Sequence, residues 1–170
     1  MSHMLKLIPA IMLSAVLTGC GGAEEDSEVA PYSQDQEPST ASLVLEAGEN
    51  VHPGDRLRGA IVIALASGWH TYGDPPGDSG MPPAVSFTVP DGWSADLQPL
   101  PQSREFRDAA GVTFGYENEL RIPFTVSVPE NAEPRERAEI EVAVDWLVCK
   151  DVCLPQSALL TTEVTVSSNQ

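Results

Sequence analysis

The chain has 170 residues with 25 acidic and nine basic side chains, which gives a net charge of −16. Such a negative surface argues against nucleic-acid binding and against direct adhesion to anionic lipid, because both need clustered positive charge. Six of the acids lie in residues 21–40 and one base lies at Lys6, so residues 41–170 retain nineteen acids and eight bases, a net charge of about −11. That stretch is long enough for one domain with its own core.

The N-terminus has the pattern of an export signal. Lys6 precedes an apolar run over residues 7–16, and Leu17-Thr18-Gly19-Cys20 follows. A positive start, a short apolar core and small residues at the cut site predict a signal peptide over residues 1–19, too short to span a membrane. Leu-Thr-Gly-Cys resembles the bacterial lipobox, which implies lipidation of Cys20. An ordinary signal peptide followed by a free cysteine is the alternative.

Residues 20–40 are predicted to form a lipidated N-terminus and an acidic tether. The stretch after Cys20 combines six acids with Ser, Gly and Pro and contains no base. Such a composition buries too little apolar surface to offset the conformational entropy lost on folding, so we expect an extended, solvated linker. The expected location is the periplasm, with the lipid held in the inner or the outer membrane.

The rest of the chain alternates apolar and polar residues with a period of two, which predicts β-strands. Pro/Gly/Asp turns such as His52-Pro53-Gly54-Asp55 and Asp74-Pro75-Pro76-Gly77-Asp78 separate the strands, and no stretch of a dozen residues has a helical period. The pattern predicts an all-β fold over residues 41–170, an immunoglobulin-like antiparallel sandwich, with a small barrel as the alternative. The predicted strands are 42–47, 57–66, 85–89, 112–116, 120–128, 138–149 and 160–166.

The remaining cysteines, Cys149 and Cys153, are only four positions apart. A disulfide between them closes so small a loop that it stabilises by only about 2 kcal/mol, which favours a reversible dithiol over a structural staple. The flanking strands place the pair at the mouth of a hairpin. Cys149 has the parity opposite to Trp146 and therefore faces away from the core. We expect Pro155 to delay the start of the second strand.

Two other interpretations of the pair stay open. The disulfide could be inert, in a sandwich that presents its surface to a binding partner. Alternatively, the two thiolates could bind Cu(I), with Met81 as a soft donor, whereas a zinc site would need more ligands. His52 and His70 are not spaced with a cysteine as metal ligands, so we predict no metal and no cofactor. His70 is expected to be a polar residue among aromatic neighbours.

The segment Trp146 to Pro155, WLVCKDVCLP, resembles the cysteine motif of the periplasmic N-terminal domain of DsbD-type thiol:disulfide interchange proteins, closest to the ScsB-like branch. Two further stretches support the resemblance: GWHTY at residues 68–72 followed by PGDSG at 76–80, and FGYE at 114–117. Together these motifs span most of residues 42–167. The resemblance implies an immunoglobulin-like fold that takes electrons from a membrane-embedded thiol reductase and passes them to periplasmic thioredoxin-like proteins.

The resemblance also implies roles for individual residues. Cys153 corresponds to the cysteine that forms the mixed disulfide, and Cys149 to its resolving partner. A capping loop corresponds to residues 104–107, with Glu105 in it and Phe106 as the capping ring. This chain ends at Gln170, before any reductase domain, so the electron donor is expected on another polypeptide.

Overall fold

A computed structural model describes residues 37–46, 48–108 and 111–168 of the chain. The predicted signal peptide over residues 1–19, the lipidation site Cys20 and the tether as far as residue 36 lie outside the described residues. Within the described part, no helix is long and apolar enough to cross a membrane.

The described residues form eleven β-strands and no helix, which confirms the all-β prediction. In chain order the strands are β1 (Ser39–Leu45), β2 (Asn50–Val51), β3 (Arg56–Leu65), β4 (His70–Gly77), β5 (Ala84–Thr88), β6 (Ser94–Leu97), β7 (Arg104–Asp108), β8 (Gly111–Glu117), β9 (Glu119–Ser127), β10 (Arg137–Cys149) and β11 (Cys153–Val166).

The strands form two sheets. The smaller has four strands in the order β1-β3-β9-β6, and the larger has seven, in the order β2-β11-β10-β4-β8-β7 with β5 also paired to β10. The pairing is antiparallel except between β2 and β11, which run parallel for two residues. Two antiparallel-rich sheets packed over one core make the immunoglobulin-like sandwich that the sequence predicts.

The core lies between the sheets and follows the period of two. In β10 the even-numbered residues from Ala138 to Val148 are buried, and in β9 the same holds from Leu120 to Val126. Phe124, only 1% exposed, packs its ring 5.3 Å from that of Phe87. All three tryptophans are buried: Trp69, Trp93 and Trp146.

The structure corrects several predicted boundaries. Four strands, β2, β4, β6 and β7, are not among those predicted, and the Asp74-Pro75-Pro76 stretch, expected to be a turn, lies within β4. Residues 104–107, expected to be a loop, form most of the edge strand β7, which pairs with β8. Pro155 does not delay pairing, because β11 starts at Cys153 and Pro155 lies opposite Leu147.

Candidate functional site

Cys149 and Cys153 close the long β10–β11 hairpin, as the sequence predicts. They are the last residues paired before the turn, and a disulfide joins them. Their exposures differ strongly: Cys149 is only 2% exposed, whereas Cys153 is exposed to solvent. Cys149 does point away from the core row of Trp146 and Val148, but other residues cover it on that outer face. An incoming molecule therefore meets Cys153 first.

The geometry of the hairpin explains why a proline is tolerated at position 155 within a paired strand. Opposed residues in an antiparallel ladder alternate between hydrogen-bonded pairs, with Cα atoms about 5.5 Å apart, and narrower pairs at about 4.5 Å. Cys149 and Cys153, with Cα atoms 4.1 Å apart, form a narrow pair. Pro155 and Leu147, two residues further on, form the next narrow pair, so the Pro155 nitrogen faces the free edge of β11. A proline there leaves no N–H donor for another strand.

β4 lies between β10 and β8, directly beside the disulfide. His70 is paired with Cys149 on one side and with Glu117 on the other. On the core side of β4, the Thr71 hydroxyl donates a hydrogen bond of 2.8 Å to the Leu147 carbonyl oxygen. This side-chain bond, made by a fully buried residue, fixes β4 against β10 two residues before Cys149.

Tyr72 covers Cys149 from the outer face. Its hydroxyl donates a hydrogen bond of 3.1 Å to Cys149 Sγ, and the same oxygen lies 3.8 Å from Cys153 Sγ. The ring is only 5% exposed, because the chain at Gly80 passes directly over it. A Cβ atom at Gly80, where φ is +90°, would lie 2.2 Å from a ring carbon of Tyr72, so this position requires glycine.

The PGDSG motif holds Gly80 in that place. The Asp78 carboxylate accepts a hydrogen bond of 2.8 Å from the Val112 N–H, and the Asp78 N–H donates to the Val112 carbonyl, also at 2.8 Å. These two bonds fasten the segment after β4 to β8. The two motifs, GWHTY and PGDSG, therefore form one unit that positions the Tyr72 hydroxyl at the sulfur.

Phe106 of β7 reaches the same surface through His70. The two rings stack with centroids 5.0 Å apart and planes 23° apart, and the His70 ring meets Tyr72 edge-on at 5.4 Å. The Arg104 guanidinium lies 4.9 Å from the Phe106 centroid and forms an ion pair with Glu117. Phe106 thus belongs to a chain of contacts that leads to the sulfur atoms.

Two further contacts define β7. Glu105, the other residue predicted in the cap, is exposed and pairs with Arg107. Tyr116 of β8 donates a hydrogen bond of 2.6 Å to the Pro101 carbonyl and so anchors the segment that leads into β7. Burial raises the pKa of Tyr116 above its usual 10.0, which keeps the hydroxyl protonated as a donor.

The structure brings both predicted cysteines and Phe106 to one surface, and it adds the contact of Tyr72 with Cys149, which the sequence did not predict. The only available signal was the alternation in GWHTY, which puts His70 and Tyr72 on one face of a strand. Of the residues weighed as metal ligands, His70 pairs with Cys149, whereas His52 lies in a turn beside Asp55 and Met81 is 64% exposed. Among the described residues, no group of three or more His, Cys, Asp or Glu is placed to hold a metal ion.

The sequence profile of the family "Thiol:disulfide interchange protein DsbD, N-terminal" matches residues 40–165. The chain belongs to this family. Membership and the Cys149–Cys153 disulfide together make this a thiol–disulfide exchange domain of the DsbD N-terminal type. No curated protein sequence matches the chain.

One solved structure agrees with the fold, and a second has a lower structural similarity. The N-terminal periplasmic domain of ScsB from Proteus mirabilis superposes with a TM-score of 0.54 at 18% identity, over 78% of this chain and 50% of that one. The chain thus spans about half the length of the ScsB structure. The reduced DsbD N-terminal domain from Neisseria meningitidis aligns over 76% of this chain and 86% of its own, at 14% identity and a TM-score of 0.35.

Proposed function

We propose that the domain relays electrons through Cys149 and Cys153, between a membrane-embedded thiol reductase and thioredoxin-like proteins of the periplasm. The difference between the two sulfurs carries this proposal. Cys153 is exposed, whereas Cys149 is buried under Tyr72 and accepts a hydrogen bond from its hydroxyl. An attacking thiolate can reach the outer sulfur, and the inner sulfur has a donor ready for the negative charge that it acquires.

The exchange proceeds by thiolate attack through a mixed disulfide. When the domain is reduced, a donor thiolate bonds to Cys153 Sγ, the Cys149–Cys153 bond breaks, and its electron pair passes to Cys149. The Tyr72 hydroxyl stabilises the resulting thiolate, since hydrogen bonds to charged groups are worth about 1.5–3 kcal/mol. The donor's second thiolate then attacks its own sulfur in the mixed disulfide and releases Cys153. Two electrons have moved from the donor dithiol to the domain.

The second half-reaction reverses these roles. The Cys153 thiolate attacks the disulfide of an oxidised acceptor, and the Cys149 thiolate then attacks Cys153 Sγ. The intramolecular disulfide forms again, and the acceptor leaves as a dithiol. Cys153 is thus the exchanging cysteine and Cys149 the resolving one. No cofactor or metal takes part in either half-reaction.

Phe106 and Glu105 belong in this proposal as a cap next to the site. The stacking of Phe106 on His70, the residue paired with Cys149, supports a ring that restricts access to the sulfurs. The cap is part of a strand rather than a free loop, so opening requires either rotation of the Phe106 side chain or separation of β7 from β8, and separation also breaks the exposed Arg104–Glu117 ion pair. Such exposed pairs are weak, typically about 0.2–1 kcal/mol.

The proposed setting is the periplasm, as in the name of the ScsB domain. Residues 1–19 act as the signal peptide, Cys20 carries the lipid, and the acidic residues that follow tether residues 41–170. The tether lets the domain turn between a donor in the membrane and acceptors in the periplasm. Labelling of the expressed protein with a clickable fatty acid, lost in Cys20→Ser, tests the anchor.

The reduction potential tests the relay against an inert disulfide. Equilibration of the purified domain in redox buffers should give a potential above about −300 mV, since structural disulfides tend to lie below that value. In the reduced domain, iodoacetamide should modify Cys153 faster than Cys149. A potential well below this limit, with no mixed disulfide formed by the Cys149→Ser variant, would contradict the electron relay. It would favour the alternative, a binding module with an inert disulfide.

A further inference from the structure

The outward-facing rows of β10 and β11 continue from the disulfide down the larger sheet. Because paired residues share a face, the odd-numbered residues of both strands point outward with the cysteines. β5 flanks these rows with the small residues Ala84 and Ser86. The three rows next to the disulfide pair Leu147 with Pro155, Asp145 with Ser157, and Ala143 with Leu159. We call this surface, together with Glu141 and Glu139 in the rows beyond it, the exchange face.

The three rows nearest the disulfide hold a single charge, Asp145, and the hairpin turn beyond the disulfide adds Lys150 and Asp151, whose opposite charges offset each other. Leu159 is 63% exposed there, and Val152 in the hairpin turn is 54% exposed. Met81, 64% exposed, follows Gly80, the residue that covers the Tyr72 ring. Large exposed apolar side chains in a surface that is poor in charge are typical of the centre of a protein–protein interface.

The far part of the exchange face is acidic. Glu141 and Glu139 occupy the next two outward positions of β10, and none of Glu139, Glu141 and Asp145 has an ion pair among the described residues. The one cation on these rows, Arg137, lies 3.5 Å from Glu163. Ten residues of strand separate Cys149 from Glu139, which places the acidic end about 30 Å from the disulfide.

We propose that the exchange face binds the redox partner, and that this partner is a cationic thiol protein. The partner's surface would be apolar around its cysteine and would carry lysine or arginine side chains about 30 Å away, opposite Glu139 and Glu141. The inference rests on the proposed function, because Cys153 must meet the partner's sulfur for the face to be covered.

Charge argues against two other occupants of the exchange face, residues 21–40 of the same chain and a second copy of the domain. Residues 21–40 carry six acids and no base, so the acidic end repels them. A second copy of the domain would bring a net charge of about −11 and the same carboxylates. Pro155 blocks strand addition at the edge of β11 next to the disulfide, so the partner contacts the face and not the edge.

Disulfide tethering tests the proposal directly. The Cys149→Ser domain is first converted to its glutathione mixed disulfide at Cys153. A peptide thiol then displaces glutathione: a bond forms between Cys153 and the peptide sulfur, the bond to glutathione breaks, and glutathione leaves as the thiol. The probe is a peptide with an N-terminal cysteine, leucines in the middle and lysines at its C-terminal end, long enough to span about 30 Å when extended. Its twin has glutamate in place of lysine.

The equilibrium constant should favour the lysine peptide over its twin by roughly tenfold at low salt, and the ratio should shrink as salt screens the charges. Glu139→Lys combined with Glu141→Lys should remove the preference. The matched control is Asp96→Lys with Glu119→Lys on the outer face of the smaller sheet. It changes the net charge equally and should retain most of the preference for the lysine peptide. Equal loss in both variants would mean that only net charge matters and would overturn the proposal.

A second pair of matched variants tests the apolar part of the exchange face. Leu159→Ser should weaken the binding of both peptides severalfold relative to glutathione. Val44→Ser, which removes a 41% exposed side chain from the smaller sheet, should not weaken it. A face that merely happens to be apolar would give the same small effect in both variants.

Two outcomes separate this proposal from the relay itself. Failure of Cys153 to form the glutathione mixed disulfide would contradict the proposed function. Ready formation with no difference between the peptides would contradict the exchange face alone. A concentration-dependent dimer that Leu159→Ser dissociates would assign the face to a second copy, and would also overturn the proposal.

Discussion

The two sheets share one core but present different surfaces to solvent. The smaller sheet shows charged and polar side chains such as Arg58, Glu119 and Arg121, two of which pair with each other. The larger sheet shows the disulfide, the aromatic contacts of Tyr72 and His70, and the apolar rows beneath them. The alternation that buries one side of the long strands is the same in both sheets. The chemistry therefore depends on the outward residues of one sheet, and stability depends on the inward residues of both.

Removal of the exposed sulfur of Cys153 should have the largest effect on the chemistry of the larger sheet's outer surface. Cys153→Ser should abolish exchange with protein thiols, because the buried Cys149 cannot be reached by an attacking thiolate. Cys149→Ser should still form mixed disulfides but should fail to release them. Gel-shift assays with an oxidised thioredoxin-fold protein, whose disulfide the remaining thiol of each variant can attack, distinguish the two variants. Equal trapping by both would contradict the difference in exposure.

A core substitution in the smaller sheet should lower the stability of the domain and leave its exchange chemistry unchanged. Phe124 fills the space against Gly59, where an added Cβ would lie only 2.4 Å from the ring. Phe124→Ala should lower the free energy of unfolding by about 3–5 kcal/mol, through lost burial and the cavity left behind. Urea titration measures this loss. The exchange rate of the folded fraction should be unchanged, and a matching fall in that rate would mean that the sheets are not separable.

Tyr72→Phe should affect the chemistry more than the fold. It removes the hydroxyl that faces Cys149 Sγ but keeps the ring beneath Gly80. Loss of a hydrogen bond to a developing thiolate is worth about 1.5–3 kcal/mol, so reduction by dithiothreitol should slow by roughly ten- to a hundredfold. Stopped-flow kinetics measure the rate. Tyr116→Phe, which removes a hydroxyl from the core side of the same sheet, is the control and should leave the rate nearly unchanged.

Phe106→Ala should have the smallest effect, in the opposite direction. The stacked pair of Phe106 and His70 is worth about 0.5–1.5 kcal/mol, so its removal should speed reduction by a small thiol about two- to tenfold. Leu97→Ala, at an exposed apolar side chain of the smaller sheet, is the matched control. An unchanged rate in Phe106→Ala would show that the ring does not restrict access to the sulfurs.

The sequence predicted the long strands because their period of two is uninterrupted. Residues 138–149 carry an apolar side chain at every even-numbered position up to Val148, and the structure pairs all of them. The parity of Cys149 against Trp146 correctly placed the disulfide on the outer face. These features are local, so they can be inferred from neighbouring residues alone.

The strands that were missed lack this local signal. β4 contains Gly73, Pro75 and Pro76, which usually disfavour strands, and its register shifts between Tyr72 and Gly77. β7 is charged and short, as edge strands often are. Its partner β8 supplies the hydrogen bonds that make it a strand.

The contact of Tyr72 with Cys149 could not be predicted for another reason. The two residues are 77 positions apart, and they meet only because β4 pairs with the end of β10. Burial of Cys149 follows from that contact, so the difference between the two sulfurs is a property of the fold. The spacing of the cysteines indicated exchange, but it did not indicate which sulfur is protected.

The most direct test of the account locates the mixed disulfide in the wild-type domain. The oxidised domain is mixed with a thioredoxin-fold protein that retains only its attacking cysteine, the reaction is quenched with acid, and free thiols are alkylated before digestion and mass spectrometry. The account predicts that the partner is linked to Cys153 and that Cys149 carries the alkyl group. Linkage to Cys149, with Cys153 alkylated, would contradict it.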